Sequence, residues 1–169
     1  RRLQDPLAEL VKIEPKAIGV GQYQHDVNQP NLDRALVSIV EDCVNHVGVD
    51  VNTASVELLS HVSGLNAKVA AAIVQQRDEK GGFANRDALK KVKGVGPKSF
   101  EQAAGFLRIL DGDNPLDSSA VHPESYTLVK NILDKVALDV KEVMGNAKVL
   151  HSVTASDFTN ENFGEQTVK

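Results

Sequence analysis

The 169 residues suffice for one ordinary domain or two small ones, and 41% apolar with 25% charged side chains is the composition of a globular protein. A single cysteine excludes an internal disulfide, and no apolar run approaches the roughly 18 residues that a membrane-crossing helix needs. The net charge of −4 argues against a uniformly basic nucleic-acid binder, so the placement of charge matters more than its sum.

Leu3, Leu7, Leu10 and Val11 recur at helical spacing, with Asp5 as a cap and Pro6 at a first helical position. Pro15, Gly19 and Gly21 break that pattern, and residues 23–30 read as loop. A helix is expected over Asn31–Val47, with Leu32, Leu36, Ile39, Val40, Cys43, Val44 and Val47 on one face and Gly48 ending it. On that stripe Cys43 is expected to be a buried small hydrophobe. Asn52-Thr53 offers the next cap, ahead of Val56, Leu58 and Leu59. Asn66 caps a helix through Val69, Ala70, Ile73 and Val74 to Arg77. Gly81-Gly82-Phe83 is a turn that delivers an aromatic ring to the core. Asn85 caps a short helix through Leu89 to Val92, and Pro97 starts one carrying Phe100, Ala103, Ala104, Phe106, Leu107 and Leu110.

Residues 111–115 close this region, and Pro123 opens a helix with Tyr126, Val129, Ile132, Leu133 and Val136. A further helix is expected at Val140 and Val143, stopped by Gly145, and residues 151–165 read as loops with a helical turn. No alternating strand pattern stands out, so the expected fold is all-α.

Two segments about thirty residues apart carry the functional signal. Leu58 to Ala70 and Leu89 to Phe100 each read as a short helix, a tight Gly-containing hairpin and a second helix with Lys in its first turn. A Gly-x-Gly turn folds tightly and bares its amides. The helix that follows at once points its unpaired N–H groups and positive dipole end the same way, which suits a phosphate oxygen. Gly94, Val95 and Gly96 supply this geometry in the second hairpin, with Lys93 and Lys98 beside it. Gly64, Leu65 and Asn66 supply it in the first, where Lys68 matches Lys98 in offset. The first hairpin is expected to be the weaker, because Asn66 stands where a second Gly would be. The stretch from His61 to Arg108 holds nine Lys or Arg against four acids, a net of +5 that leaves −9 for the rest of the chain. The fold expectation is therefore a double helix-hairpin-helix module flanked by additional helices.

Asn52-Thr53-Ala54-Ser55, then Gly81-Gly82-Phe83 and Gly94-Val95-Gly96, resemble the double module of competence DNA receptors. Longer marks give a closer resemblance, over nearly the whole chain, to the Tex family of bacterial transcription accessory proteins. They are Ile18 to Val27, Val47 to Ser55, Asn114-Pro115-Leu116-Asp117 and Ala120 to Tyr126. That resemblance implies a multidomain cytoplasmic protein that binds RNA and DNA and is related to a eukaryotic elongation factor. In it a RuvC-like (YqgF-type) domain precedes the double hairpin and an OB-fold RNA-binding domain follows. On this basis residues 1–27 are expected to be the tail of the RuvC-like domain and residues 28–52 a connecting helix. Residues 53–111 would be the double hairpin, and residues 112–169 a further small helical domain cut before its end. The absence of an initiator Met agrees with a piece of a longer polypeptide.

Other chemistry is not expected. The five His residues lack the close spacing of a zinc site, and Asp111 and Asp113 around Gly112 lack the remaining ligands of a calcium loop. His25 with Asp26 cannot complete an acidic nuclease cluster, so neither catalysis nor a cofactor is expected. Two readings follow: a nucleic-acid-binding module without sequence preference, or a protein scaffold within the transcription machinery.

Overall fold

Asp5 and Pro6 start the first helix as their sequence positions require. In a computed structural model the Asp5 carboxylate accepts the Ala8 amide at 3.1 Å, Pro6 fills the first helical position, and α1 spans Pro6–Leu10. The structure describes residue 3, residues 5–136 and 140–143, and residues 158 and 159. Pro15 does not simply break the chain but opens a one-turn helix, α2 (Pro15–Ile18). The loop that follows is shaped by two glutamines. Gln24 Oε1 accepts the Val20 amide at 2.9 Å, and Gln29 Nε2 donates to the carbonyls of Gln24 and Val27 at 2.8 and 2.9 Å. Asn28 then caps α3 (Gln29–Val47) by accepting the Asn31 amide at 3.0 Å, two residues ahead of the expected start.

After Gly48 comes a feature absent from the sequence reading. β1 (Val49–Asp50) pairs in parallel with β2 (Leu107–Arg108), Val49 opposite Leu107 and Asp50 opposite Arg108. Two residues are too few to show a period of two, so pattern could not reveal them. Between these strands lies the repeat: α4 (Val56–Ser60), α5 (Ala67–Lys80), a 3-10 helix over Arg86–Lys91, and α6 (Pro97–Ala104). Leu59, Val62, Ile73, Leu89, Val49, Val51 and Ile109 are all but inaccessible to solvent and form one core shared by both halves. Burying each large aliphatic side chain stabilises the fold by roughly 1.5–3 kcal/mol.

Three expectations are corrected here, the first being the helix from Pro97 to Leu110: α6 ends at Ala104 and Leu107 belongs to β2. The cap of α4 is Ser55, which accepts the Leu58 amide at 3.3 Å. Asn52 instead grips the Phe83 backbone from both sides, accepting its amide at 2.7 Å and donating to its carbonyl at 3.0 Å, while Thr53 donates to Asp50. That grip seats Phe83 in the core as expected. Cys43 is exposed, not buried. It lies on an open apolar groove of about 500 Å³ between α1, α2 and α3, beside Leu10, Ile13, Val37 and Ile39. The apolar stripe of α3 is wider than α1 and α2 can cover.

Beyond β2, Asn114 accepts the Leu116 amide at 3.1 Å and opens a 3-10 helix over Pro115–Ser118. A second 3-10 turn, Pro123–Ser125, is capped by His122 and runs into α7 (Tyr126–Val136), with α8 (Val140–Val143) after it. The expected stop at Gly145 and, except for residues 158 and 159, the loops at 151–165 lie outside the described residues. Among the described residues no helix is long and apolar enough to cross a membrane.

Candidate nucleic-acid interface

The two hairpins superimpose in chain logic at an offset of thirty residues. Ser55 and Asn85 cap the leading helices by accepting the amides of Leu58 and Ala88. In the first hairpin Val62 N–H bonds Leu59 O at 3.1 Å, Leu65 N–H bonds Val62 O at 3.0 Å and Ala70 N–H bonds Asn66 O at 2.8 Å. In the second, Val92 bonds Leu89 at 3.0 Å, Val95 bonds Val92 at 3.1 Å and Phe100 bonds Gly96 at 2.9 Å. The left-handed residue of each turn is its first glycine, Gly64 at φ 84° and Gly94 at φ 94°.

The second turn position needs no such freedom. Gly96 has φ −85°, ψ 171°, and Asn66 has φ −123°, ψ 169°, both extended. Asn66 is thus no backbone defect. Its side chain accepts the Val69 amide at 3.0 Å, a cap that Gly96 cannot provide. Among the described residues the amides of Gly64, Asn66, Ala67 and Lys68 meet no protein acceptor, and in the second hairpin the same holds for Gly94, Gly96, Lys98 and Ser99. These are the orphan donors of a turn and a helix start, gathered twice.

Lys68, Lys93 and Lys98 are exposed beside these amides. Among the described residues none of them pairs with a carboxylate. Lys90 is partly committed: it pairs with Asp87 at 2.7 Å and sits 4.5 Å from the Phe100 ring centre.

The three arginines counted with this basic stretch do not contribute to the surface in the same way. Arg77 donates to the carbonyls of Val51 and Ala54 at 3.1 and 2.7 Å. Arg108 donates to Gly105 O at 2.6 Å, and burial, followed by the charge of Arg86, holds its pKa below the ordinary value. Arg86 is 1% exposed. Their role is structural, and the basic face consists of lysines.

In charge, the hairpins differ at another position than Asn66. Ser63 occupies the place that Lys93 holds in the second turn. It is tied to α3 by a reciprocal pair, Ser63 N–H to Asn45 Oδ1 at 3.1 Å and Asn45 Nδ2 to Ser63 Oγ at 2.9 Å. Glu41 of α3 also lines the cleft beside Gly64. The first hairpin therefore has one lysine and a nearby acid, where the second has two lysines.

Residues 44–108 match the helix-hairpin-helix motif family, and residues 114–169 match a further HHH domain family. Protein tex of Bordetella pertussis is 63% identical over the whole chain, which covers 21% of that protein. The chain belongs to the Tex family. The transcriptional accessory protein Tex of Neisseria gonorrhoeae is 58% identical over 99% of the chain and 22% of its own length. The human S1 RNA-binding domain-containing protein 1 is 43% identical over 85% of the chain and 19% of its own length. The chain spans about a fifth of the length of these relatives. Together the matched families and relatives support an all-α, double helix-hairpin-helix fold with a nucleic-acid-binding role.

Proposed function

We propose that this chain grips the phosphate backbone of nucleic acid, without reading sequence, through both helix-hairpin-helix turns. The carrying observation is the doubled set of amides at a thirty-residue offset that, among the described residues, meet no protein acceptor, flanked by Lys68, Lys93 and Lys98 with no ion partner among those residues. Backbone amides and lysines aimed at phosphate fix position and carry no base information. Gly94, Val95, Gly96, Lys93 and Lys98 form the stronger contact, and Gly64, Leu65, Asn66 and Lys68 the weaker one. The reason for this order is Ser63 in place of a lysine and the nearby Glu41. Within a longer Tex polypeptide the chain would lend this grip to transcription and contribute binding, not catalysis.

The scaffold reading would be favoured by buried basic residues or covered hairpins: Arg77, Arg86 and Arg108 are taken up by backbone carbonyls, whereas Lys68, Lys93 and Lys98 are exposed and the turn residues are exposed to half-buried. The test is a salt-series titration with matched single- and double-stranded RNA and DNA. Affinity should fall steeply with salt. Lys93→Glu combined with Lys98→Glu should lower it strongly while far-ultraviolet circular dichroism stays unchanged. Binding that survives both substitutions would overturn the proposal.

A further inference from the structure

The 3-10 helix that leads into the second hairpin begins with a charge sealed inside the protein. The Arg86 side chain donates from Nε to Leu107 O at 2.8 Å, from Nη1 to Val121 O at 2.7 Å and to the Tyr126 hydroxyl at 2.6 Å, and from Nη2 to Ser119 O at 2.7 Å. Its backbone N–H donates to Asp117 Oδ2 at 2.8 Å. The Tyr126 hydroxyl closes the ring by donating to Asp117 Oδ1, and Asp117 is itself 2% exposed. Among the described residues no buried side-chain nitrogen or oxygen lacks a partner. Only Leu107 among the acceptors belongs to the repeat; the others lie in residues 117–126.

The first repeat has no counterpart. Val56 stands at the position of Arg86, and the first hairpin is tied instead to α3 through Ser63 and Asn45. The two hairpins are thus anchored from opposite directions, one by the helix before the repeat and one by the segment after it. A buried guanidinium resists the loss of its acceptors, because each unmet donor keeps its desolvation cost.

We propose that Arg86, Asp117 and Tyr126 form a positioning lock through which residues 117–126 hold the second hairpin in place for phosphate contact. The lock rests on the reading of that hairpin as a phosphate site, but its mechanical part does not. Arg86 is a positioning residue: buried as it is, it touches no phosphate. Burial, then the hydrogen bond to Asp117, pushes the Tyr126 phenol far above its ordinary pKa, as befits a hydroxyl committed as a donor.

The test uses Tyr126→Phe and Asp117→Asn in the full chain, since loss of Arg86 itself can prevent folding. Amide hydrogen exchange compares the bonded amides of Val92, Val95 and Phe100 with those of Val62, Leu65 and Ala70. Tyr126→Phe should accelerate the first set by roughly five- to thirtyfold relative to the second. It should lower affinity for a duplex or single strand severalfold at every salt concentration and leave the salt slope unchanged. Lys98→Gln, by contrast, should reduce that slope by about one. Equal acceleration of both hairpins, or none, in both variants would overturn the lock. Selective acceleration in a chain that binds no nucleic acid would uphold the mechanical coupling and refute the phosphate site.

Discussion

Asn66 and Gly96 occupy the same place in the two hairpins and hold the same extended backbone, yet only Asn66 caps the helix it precedes. Asn66→Ala should therefore cost about 1 kcal/mol through the lost cap, and Asn66→Gly only a few tenths. Urea unfolding monitored by circular dichroism reads the difference.

Gly64 and Gly94 share a left-handed backbone but not a neighbourhood. A Cβ on Gly64 would lie 2.7 Å from Gln102 Cβ and 3.0 Å from Ser99 O, both on α6, whereas a Cβ on Gly94 meets only Val69 Cγ2 at 3.4 Å. Gly94→Ala should cost about 1–2 kcal/mol for the left-handed residue alone. Gly64→Ala should cost about 1–3 kcal/mol more for the collision. The same unfolding titration ranks them, and equal costs would contradict the packing of the first hairpin on α6.

Alkali should weaken the fold through Tyr126. Its phenol is raised above the unfolded value by burial first and by the Asp117 hydrogen bond second, against the opposing charge of Arg86. A raised folded pKa gives stability that is complete below the unfolded value of about 10 and is lost as pH climbs beyond it. Tyr126→Phe should be less stable than the parent at pH 8 and lose less stability between pH 10 and pH 12. Denaturation midpoints at these pH values decide it.

Cys43 should react with a thiol reagent such as DTNB in the native chain nearly as fast as in urea, because α1 and α2 leave it exposed. Strong native protection would mean that the apolar groove is closed in solution.

The sequence carried the repeat well because caps, turns and helix starts are local. Asn66 and Asn85 are legible as caps, and Gly64 with Gly94 and Lys68 with Lys98 sit at a fixed offset that needs no tertiary knowledge, whereas for the cap that Ser55 provides the sequence points wrongly to Asn52-Thr53. It carried the basic face less well, since a count of charges does not know which are spent. Arg77 reaches back to Val51 and Ala54, and Arg86 reaches forward to residues 117–126, neither of which shows as a pattern along the chain. Cys43 failed for a related reason. Helical spacing tells which residues share a face and is silent about whether α1 and α2 are broad enough to cover it.

The parallel clasp of Val49 with Leu107 has a consequence for how such a unit travels between proteins. The polypeptide leaves the repeat beside the point at which it entered, bonded to its own beginning. A unit closed in this way behaves as a detour: the path outside it resumes almost where it stopped. Its flanks must travel with it, because Asn45 of α3 holds the first hairpin and residues 117–126 hold the second.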